Sequence, residues 1–593
     1  MTNIGGHKKI AKLLMVLFPL LICTLLLLFI LQQTQEFSYY YREQQQVFLY
    51  DADYVLDLLS AIGGPITLIS QWLVQFFVLP WMGALLTAFL CLIAACFLCA
   101  ALYKETTALW WIPFTIVPVA LYSICLQDSY VHYEGLLAFT LGGMFLWLYA
   151  LVPQDKWVIR LCWGAILMLA LFFLAGSIAV LISITLILFD LLRKAFKTYS
   201  SIIPLLLVLL AGLVAVNRGW LIDFANAYWT KCYVEYYFEP TWLHTLSWLS
   251  LPIVVLVAML SRLWKPKVAW IEAIVTLSVV VGFYVACQRI SDSYLNKPYY
   301  TLQKQIHYAD TEEWDKLIGV TDINPTNDLQ AIYFHLGLSK KGRLLDDLFI
   351  FPQQGIQSLM NNDVQYTDMG VLMSRVYYQM GLIGAAQNMS FSSSIGITWG
   401  NPSMLKLLIK AYLINGRYQV AEKQIAKLEK SWYYDDWAKE QRRFLYNDEA
   451  VMADPELGKM RRSLPNNDEF TIINGPLYDL QMVLDANPDN REAAEYFIAM
   501  LLITKEYSLI DAFVNRYYGH GCLTNLPLRL QEAVVAIHEH DPAYCLSHGV
   551  NEETLERFAT FREQVLTLRR NGITNMSRLA PEYRRTFWYY MLK

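Results

Sequence analysis

Three aspartates interrupt the apolar run LYDADYVLDLL, at Asp51, Asp53 and Asp57. Carboxylates in such a setting can accept the proton of an attacking hydroxyl or ligate a hard divalent cation such as Mg²⁺ or Mn²⁺. Just upstream stand Glu36, Arg42 and Glu43, interleaved with Tyr39, Tyr40 and Tyr41. A second charged group occurs in QDSYVHYEG, which holds Asp128, His132 and Glu134. A third lies in WLIDFANAYWTKCYVEYYFEPTW, where Asp223, Glu235 and Glu239 sit among tryptophans and tyrosines. Aromatic faces beside carboxylates suit a sugar, because rings stack on its apolar face while acids bind its hydroxyls. An aromatic belt at a membrane surface accounts for the same rings without any site. Spacing limits the DxD pair: on a helix over 51–62, Asp53 and Asp57 share a face while Asp51 points elsewhere, so at most one of Asp51 and Asp53 meets a shared ligand. The alternative for these acids is the solvated face of a helix lying in the membrane interface.

The elements that must position these groups are apolar. The chain has 593 residues, of which 56% are hydrophobic, and its mean hydropathy of +0.33 requires that part of it sit in lipid. A net charge of -4 supplies no basic surface for nucleic acid. After HKKIAK the run at 13–31 reads as an uncleaved anchor, since no small-x-small site precedes LQQTQEF. Further spans are expected at 79–102, 109–126, 136–151, 202–216, 246–260 and 268–287. The stretch 158–192 is long for one crossing and short for two. Charge decides for two, because Lys8, Lys9, Lys12, Lys104, Lys156, Arg160, Arg193, Lys194, Lys197, Arg262, Lys265 and Lys267 then share the starting side.

The expected protein has about nine spans in residues 1–291, a cytoplasmic N-terminus, and outer loops at 32–78, 127–133 and 217–245. Asp190 and Glu272 fall near span ends, and an ion-coupled transporter needs ionisable groups nearer the bilayer centre.

From 292 to 593 the chain turns polar and shows helical periodicity broken at Gly or Asn-Gly, with no alternating strands. In NPSMLKLLIKAYLINGRYQVAEKQIAKLEK, Gly416 precedes Tyr418, Ala421, Ile425 and Leu428 at the offsets of a tetratricopeptide repeat. Gly381 with Ala386 repeats part of this, and Gly342 does so more weakly. The expected fold is therefore all-α: a polytopic helix bundle followed by an extracytoplasmic, tetratricopeptide-like tail suited to a partner protein. The alternative is a tail that only caps the membrane half. Of the ten cysteines, Cys522 and Cys545 lie in this tail and can pair outside the cytoplasm.

On FSYYYREQQQVFLYDADYVLDLLS, QDSYVHYEG and the NPSMLK repeat, nearly the whole chain resembles a family of polytopic envelope proteins from Gram-negative bacteria, which supplies no activity. In layout, residues 1 to about 292 are similar to the GT-C superfamily of integral-membrane glycosyltransferases, with a cytoplasmic N-terminus and acids early in the first outer loop. That resemblance implies transfer of a sugar from a polyprenyl-phosphate carrier to a protein or glycan acceptor at the outer face of the inner membrane. It implies a general base among Asp51, Asp53, Glu36 and Glu43, with Asp128, His132, Glu134 and Glu235 at the substrate. Asp53 and Asp128 would ligate Mg²⁺ or Mn²⁺, and Arg42, Arg218, Lys231 or Arg289 would hold the lipid phosphate. The competing readings are a membrane-anchored scaffold without catalysis and a flippase or exporter component.

Overall fold

The computed structural model describes residues 4–592 except 107, 154, 194–198, 265, 267, 322–326, 351, 352, 354, 362–366, 396–399, 466–474 and 574, and leaves aside the side chains of 4–14, 192, 199 and 395. Lys194, Lys197, Lys265 and Lys267 thus lie outside the described residues, as do the side chains of Lys8, Lys9 and Lys12. The protein is all-helical, at 76% helix with no strand among the described residues. It divides into two units, Met1–Glu43 with Val47–Lys297, and Gln44–Gln46 with Pro298–Lys593.

The first unit comprises α1 (Ile4–Glu43), α2 (Ala52–Leu59), α3 (Gly64–Val74), α4 (Met82–Leu102), α5 (Val117–Cys125), α6 (Glu134–Ala150), α7 (Trp157–Ala175), α8 (Ile178–Leu192), α9 (Tyr199–Asn217), α10 (Phe224–Tyr228), α11 (Trp242–Leu260) and α12 (Ala269–Tyr294). Small side chains set its packing. On α4 the buried residues Ala84, Ala88, Cys91, Ala95 and Cys99 recur every three or four positions, which lets the backbones of α1 and α6 come close. Leu85 and Phe89, on the opposite face of α4, are exposed. Six helices among the described residues are long and apolar enough to cross a bilayer: Met15–Glu43, Met82–Glu105, Trp157–Ala175, Ser200–Asn217, Trp242–Leu260 and Ala269–Tyr294. Shorter apolar helices run over Gly64–Val78, Ile112–Cys125, Glu134–Ala150 and Ile178–Leu191. On α12, Trp270, Ile274, Leu277, Val281 and Val285 form an exposed stripe at helical spacing. Such a stripe is unfavourable in water and neutral against lipid tails. The chain is a membrane protein.

The stretch 158–192 forms two helices, α7 and α8, that part at Gly176. Arg160 on α7 and Asp190 on α8 make a buried ion pair, and the Tyr149 hydroxyl donates to the other Asp190 oxygen at 2.7 Å. Glu105, just beyond α4, accepts from Arg193 at 2.8 Å and from Arg262 at 2.9 Å. The ends of α4, α8 and α11 therefore meet.

The second unit is built of short helices with recurring local signals. Asn327, Asn401 and Asn490 each cap a helix by accepting from the backbone N–H three residues on, which satisfies a donor the helix leaves open. Thr367–Met380 turns into Ile383–Ile395 through Gly381, and Pro402–Ile414 into Tyr418–Leu428 through Gly416. Both glycines have positive φ, 84° and 68°, the left-handed conformation that a Cβ disfavours. Ala421, Ile425 and Leu428 are fully buried. Near the C-terminus the buried Glu532 accepts from Arg529 at 2.6 Å and from the backbone N–H of Phe587 at 2.8 Å. All ten cysteines are free, Cys522 and Cys545 included.

Candidate functional site

α1 ends in a basic turn. Arg42 lies in its last turn, where the helix dipole favours a cation, and it is buried. Its Nη1 donates to the carbonyl of Val131 at 2.6 Å, and its Nη2 to those of Leu126 and Asp128, each at 3.2 Å. Arg42 therefore folds the 126–131 turn over itself. That turn is also tied to the segment before α11: the backbone N–H of His132 donates to Tyr233 at 2.8 Å, and that of Glu235 to Tyr130 at 2.8 Å. An antiparallel bridge between Val131 and Val234 lies between these two bonds. The rings of Tyr130 and Phe238 stack across it at 3.4 Å. From below, the Tyr122 hydroxyl donates to the carbonyl of His132 at 2.6 Å. Gly135 makes room for it, since a Cβ there would stand 2.0 Å from that hydroxyl oxygen.

This bracing fixes a charged group. The His132 Nε2 lies 3.5 Å from Glu235 and its Nδ1 3.9 Å from Glu134. The His132 side chain is 36% exposed and that of Glu235 54%, so the pair opens to solvent. Burial works against a charged His132, but the bond to Glu235 and the charges of Glu134 and Glu235 outweigh it and raise the imidazole above its ordinary value. Through the same bond, His132 holds Glu235 below the usual carboxylate range. Burial pushes Asp128 up, against its bond to the N–H of Tyr130 and the nearby Arg42 charge.

The structure thus gathers Arg42, Asp128, His132, Glu134 and Glu235 from three separate segments. The other expected site residues stand as follows. Asp51 is half-buried at the N-cap of α2, without a side-chain capping bond. Asp53 and Asp57 are exposed on α2, Glu36 is exposed on α1, and Glu43 is buried at its end. Arg218 and Arg289 are exposed, and Lys231 pairs with Glu239 at 2.7 Å. Among the described residues no group of three or more His, Cys, Asp or Glu side chains is placed to hold a metal ion.

Sequence reasoning found the charged members and missed the framework. The bridge between Val131 and Val234, with the bonds of His132 to Tyr233 and of Glu235 to Tyr130, joins segments about a hundred residues apart through backbone bonds, which leave no mark in side-chain type.

The profile of one family, described as a family of unknown function (DUF6057), matches residues 9–593. The chain belongs to DUF6057. No curated protein and no solved structure matches it. Because the DUF6057 match runs from α1 to the C-terminus, it takes in the membrane helices, the charged group and the helical second unit together.

Proposed function

We propose that this DUF6057 chain is an integral-membrane glycosyltransferase of GT-C type. It would cross the bacterial inner membrane about nine times with a cytoplasmic N-terminus, and its periplasmic tail would be tetratricopeptide-like. The sugar comes from a polyprenyl-phosphate-linked donor and passes to a protein or glycan acceptor at the outer face. The observation that carries this reading is His132 held between Glu134 and Glu235 at 3.9 and 3.5 Å, open to solvent on a loop pair braced by Arg42.

The chemistry assigns each group one task. The Glu235 carboxylate takes the acceptor hydroxyl proton, the acceptor oxygen bonds to the anomeric carbon, and the bond from that carbon to the phosphate oxygen breaks. The polyprenyl phosphate leaves with its electron pair and meets the protonated His132, whose charge Glu134 sustains. Asp128 and Arg42 hold the turn in place.

The test is release of polyprenyl phosphate from an undecaprenyl-phosphate-linked hexose by the purified chain in proteoliposomes. Glu235→Gln and His132→Gln should fold and release almost nothing, with Asp51→Asn and Asp53→Asn as parallel variants from the first outer loop. A second reading rests on the helix pairs that turn at Gly381 and Gly416. In it the tail is a scaffold for a partner protein and the membrane unit its anchor. Full complementation of a deletion strain by all four variants would select it.

A further inference from the structure

Between α9 and α11 the chain leaves large apolar side chains uncovered. Trp220, Ile222, Phe224 and Trp242 are exposed, and Tyr237 is 87% so. A loop surrounded by water does not carry them at that density. The two ends of the segment fix its depth. α11 has 19 residues, about 28 Å of helix, which is close to the hydrocarbon thickness of a bilayer. Trp242 at its first position and Trp264 one turn beyond its end both stand exposed, as rings at the two faces of a membrane do. α9, of the same length, ends at Asn217, where the segment begins. From there the chain folds back along α9. The Tyr228 hydroxyl donates to the carbonyl of Leu209 at 2.7 Å, a position about 12 Å inside the end of α9 at Asn217. Gly212 leaves room for the Tyr228 ring, since a Cβ there would collide with it. Phe224 stacks on Tyr228 at 6.0 Å. On the same stretch of α9, Leu206, Leu210 and Leu213 are exposed.

We infer that residues 218–241 form a membrane-docking surface, with 220–228 at the acyl boundary and 235–241 in the hydrated headgroup layer. The occupant is the lipid bilayer, because the exposed side chains continue the apolar faces of α9 and of α11, where Leu246, Leu249 and Ile253 are also exposed. The backbone suits that depth. Asp223 caps α10 by accepting from the N–H of Asn226 at 2.7 Å, which meets a donor that lipid would leave open. Arg218, exposed where α9 ends, stands where lipid phosphates supply the counter-charge. Glu235 belongs to the same segment and lies a few residues before α11. It and His132 therefore face phospholipid headgroups. This goes beyond the glycosyl-transfer reading and does not rest on it.

The experiment photolabels the full chain in phosphatidylcholine liposomes and maps the adducts by peptide mass spectrometry. One arm contains phosphatidylcholine with a diazirine on its acyl chain, and the other phosphatidylethanolamine with a diazirine on its headgroup. Acyl adducts should appear on 220–228 within about threefold of their level on α9. Headgroup adducts should appear on 235–241. Absence of acyl adducts from 220–228 while α9 and α11 carry them would overturn the docking surface. Absence of headgroup adducts from 235–241 would overturn the placement of Glu235 among the headgroups. Either result stands whether or not the chain transfers a sugar, so failure here and failure of the transferase reading are told apart.

Discussion

At the ends of α4, α7, α8 and α11, charge is matched to charge: Arg160 with Asp190, and Arg193 and Arg262 with Glu105. Where α1 ends, a buried arginine is committed to backbone carbonyls, while His132 and Glu235 keep their outer faces in solvent. The first arrangement ties helix ends together. The second ties loops together and leaves the pair of His132 and Glu235 open to solvent. Ionisable groups in a membrane protein thus differ in whether their partners are side chains that satisfy them or backbone that only places them.

The sharpest way to break this comparison is at the matched end. Asp190→Leu leaves Arg160 buried without its partner and should destabilise the folded chain by about 3–5 kcal/mol, read as a fall in the unfolding temperature in detergent. Adding Arg160→Met should recover most of that loss, since an apolar pair of similar size needs no counter-charge. If the double variant is as unstable as the single one, the pair does more than hold α7 to α8.

At the open end, Arg42→Met removes three hydrogen bonds from the 126–131 turn and should cost about 2–3 kcal/mol. Hydrogen exchange should rise at the amides of His132 and Glu235, which bridge the two loops. Unchanged exchange there would mean that the bridge stands without Arg42.

How much of this was legible beforehand follows from which interactions write themselves into composition. The all-helical class and the apolar helices were legible because burial in lipid forces long apolar runs. Two helices in 158–192 were legible from the placement of Arg160 and Arg193, and the turns at Gly381 and Gly416 from the conformation that only glycine adopts cheaply. Asp128, His132, Glu134 and Glu235 were named as polar exceptions in outer loops, but their meeting depends on backbone pairing at Val131 and Val234. The pairing of Arg160 with Asp190 was equally silent, because each lies at a span end where solvation is the ordinary expectation.

The smallest expected effect is the pH dependence of the pair between His132 and Glu235. The raised imidazole contributes stability below its ordinary value and loses it as pH rises through the folded value. The lowered carboxylate contributes above its ordinary value and loses it as pH falls through the folded value. The pair is therefore strongest between about pH 4.5 and pH 6.5. Both groups are substantially exposed, so it should add under about 1 kcal/mol, seen as a shallow maximum in unfolding temperature that Glu235→Gln flattens.

The most direct measurement compares wild type and Glu235→Gln for release of polyprenyl phosphate from the lipid-linked hexose, with unfolding temperature recorded alongside. The account predicts a loss of turnover of about a hundredfold or more at nearly unchanged stability. Turnover by Glu235→Gln equal to wild type would contradict it.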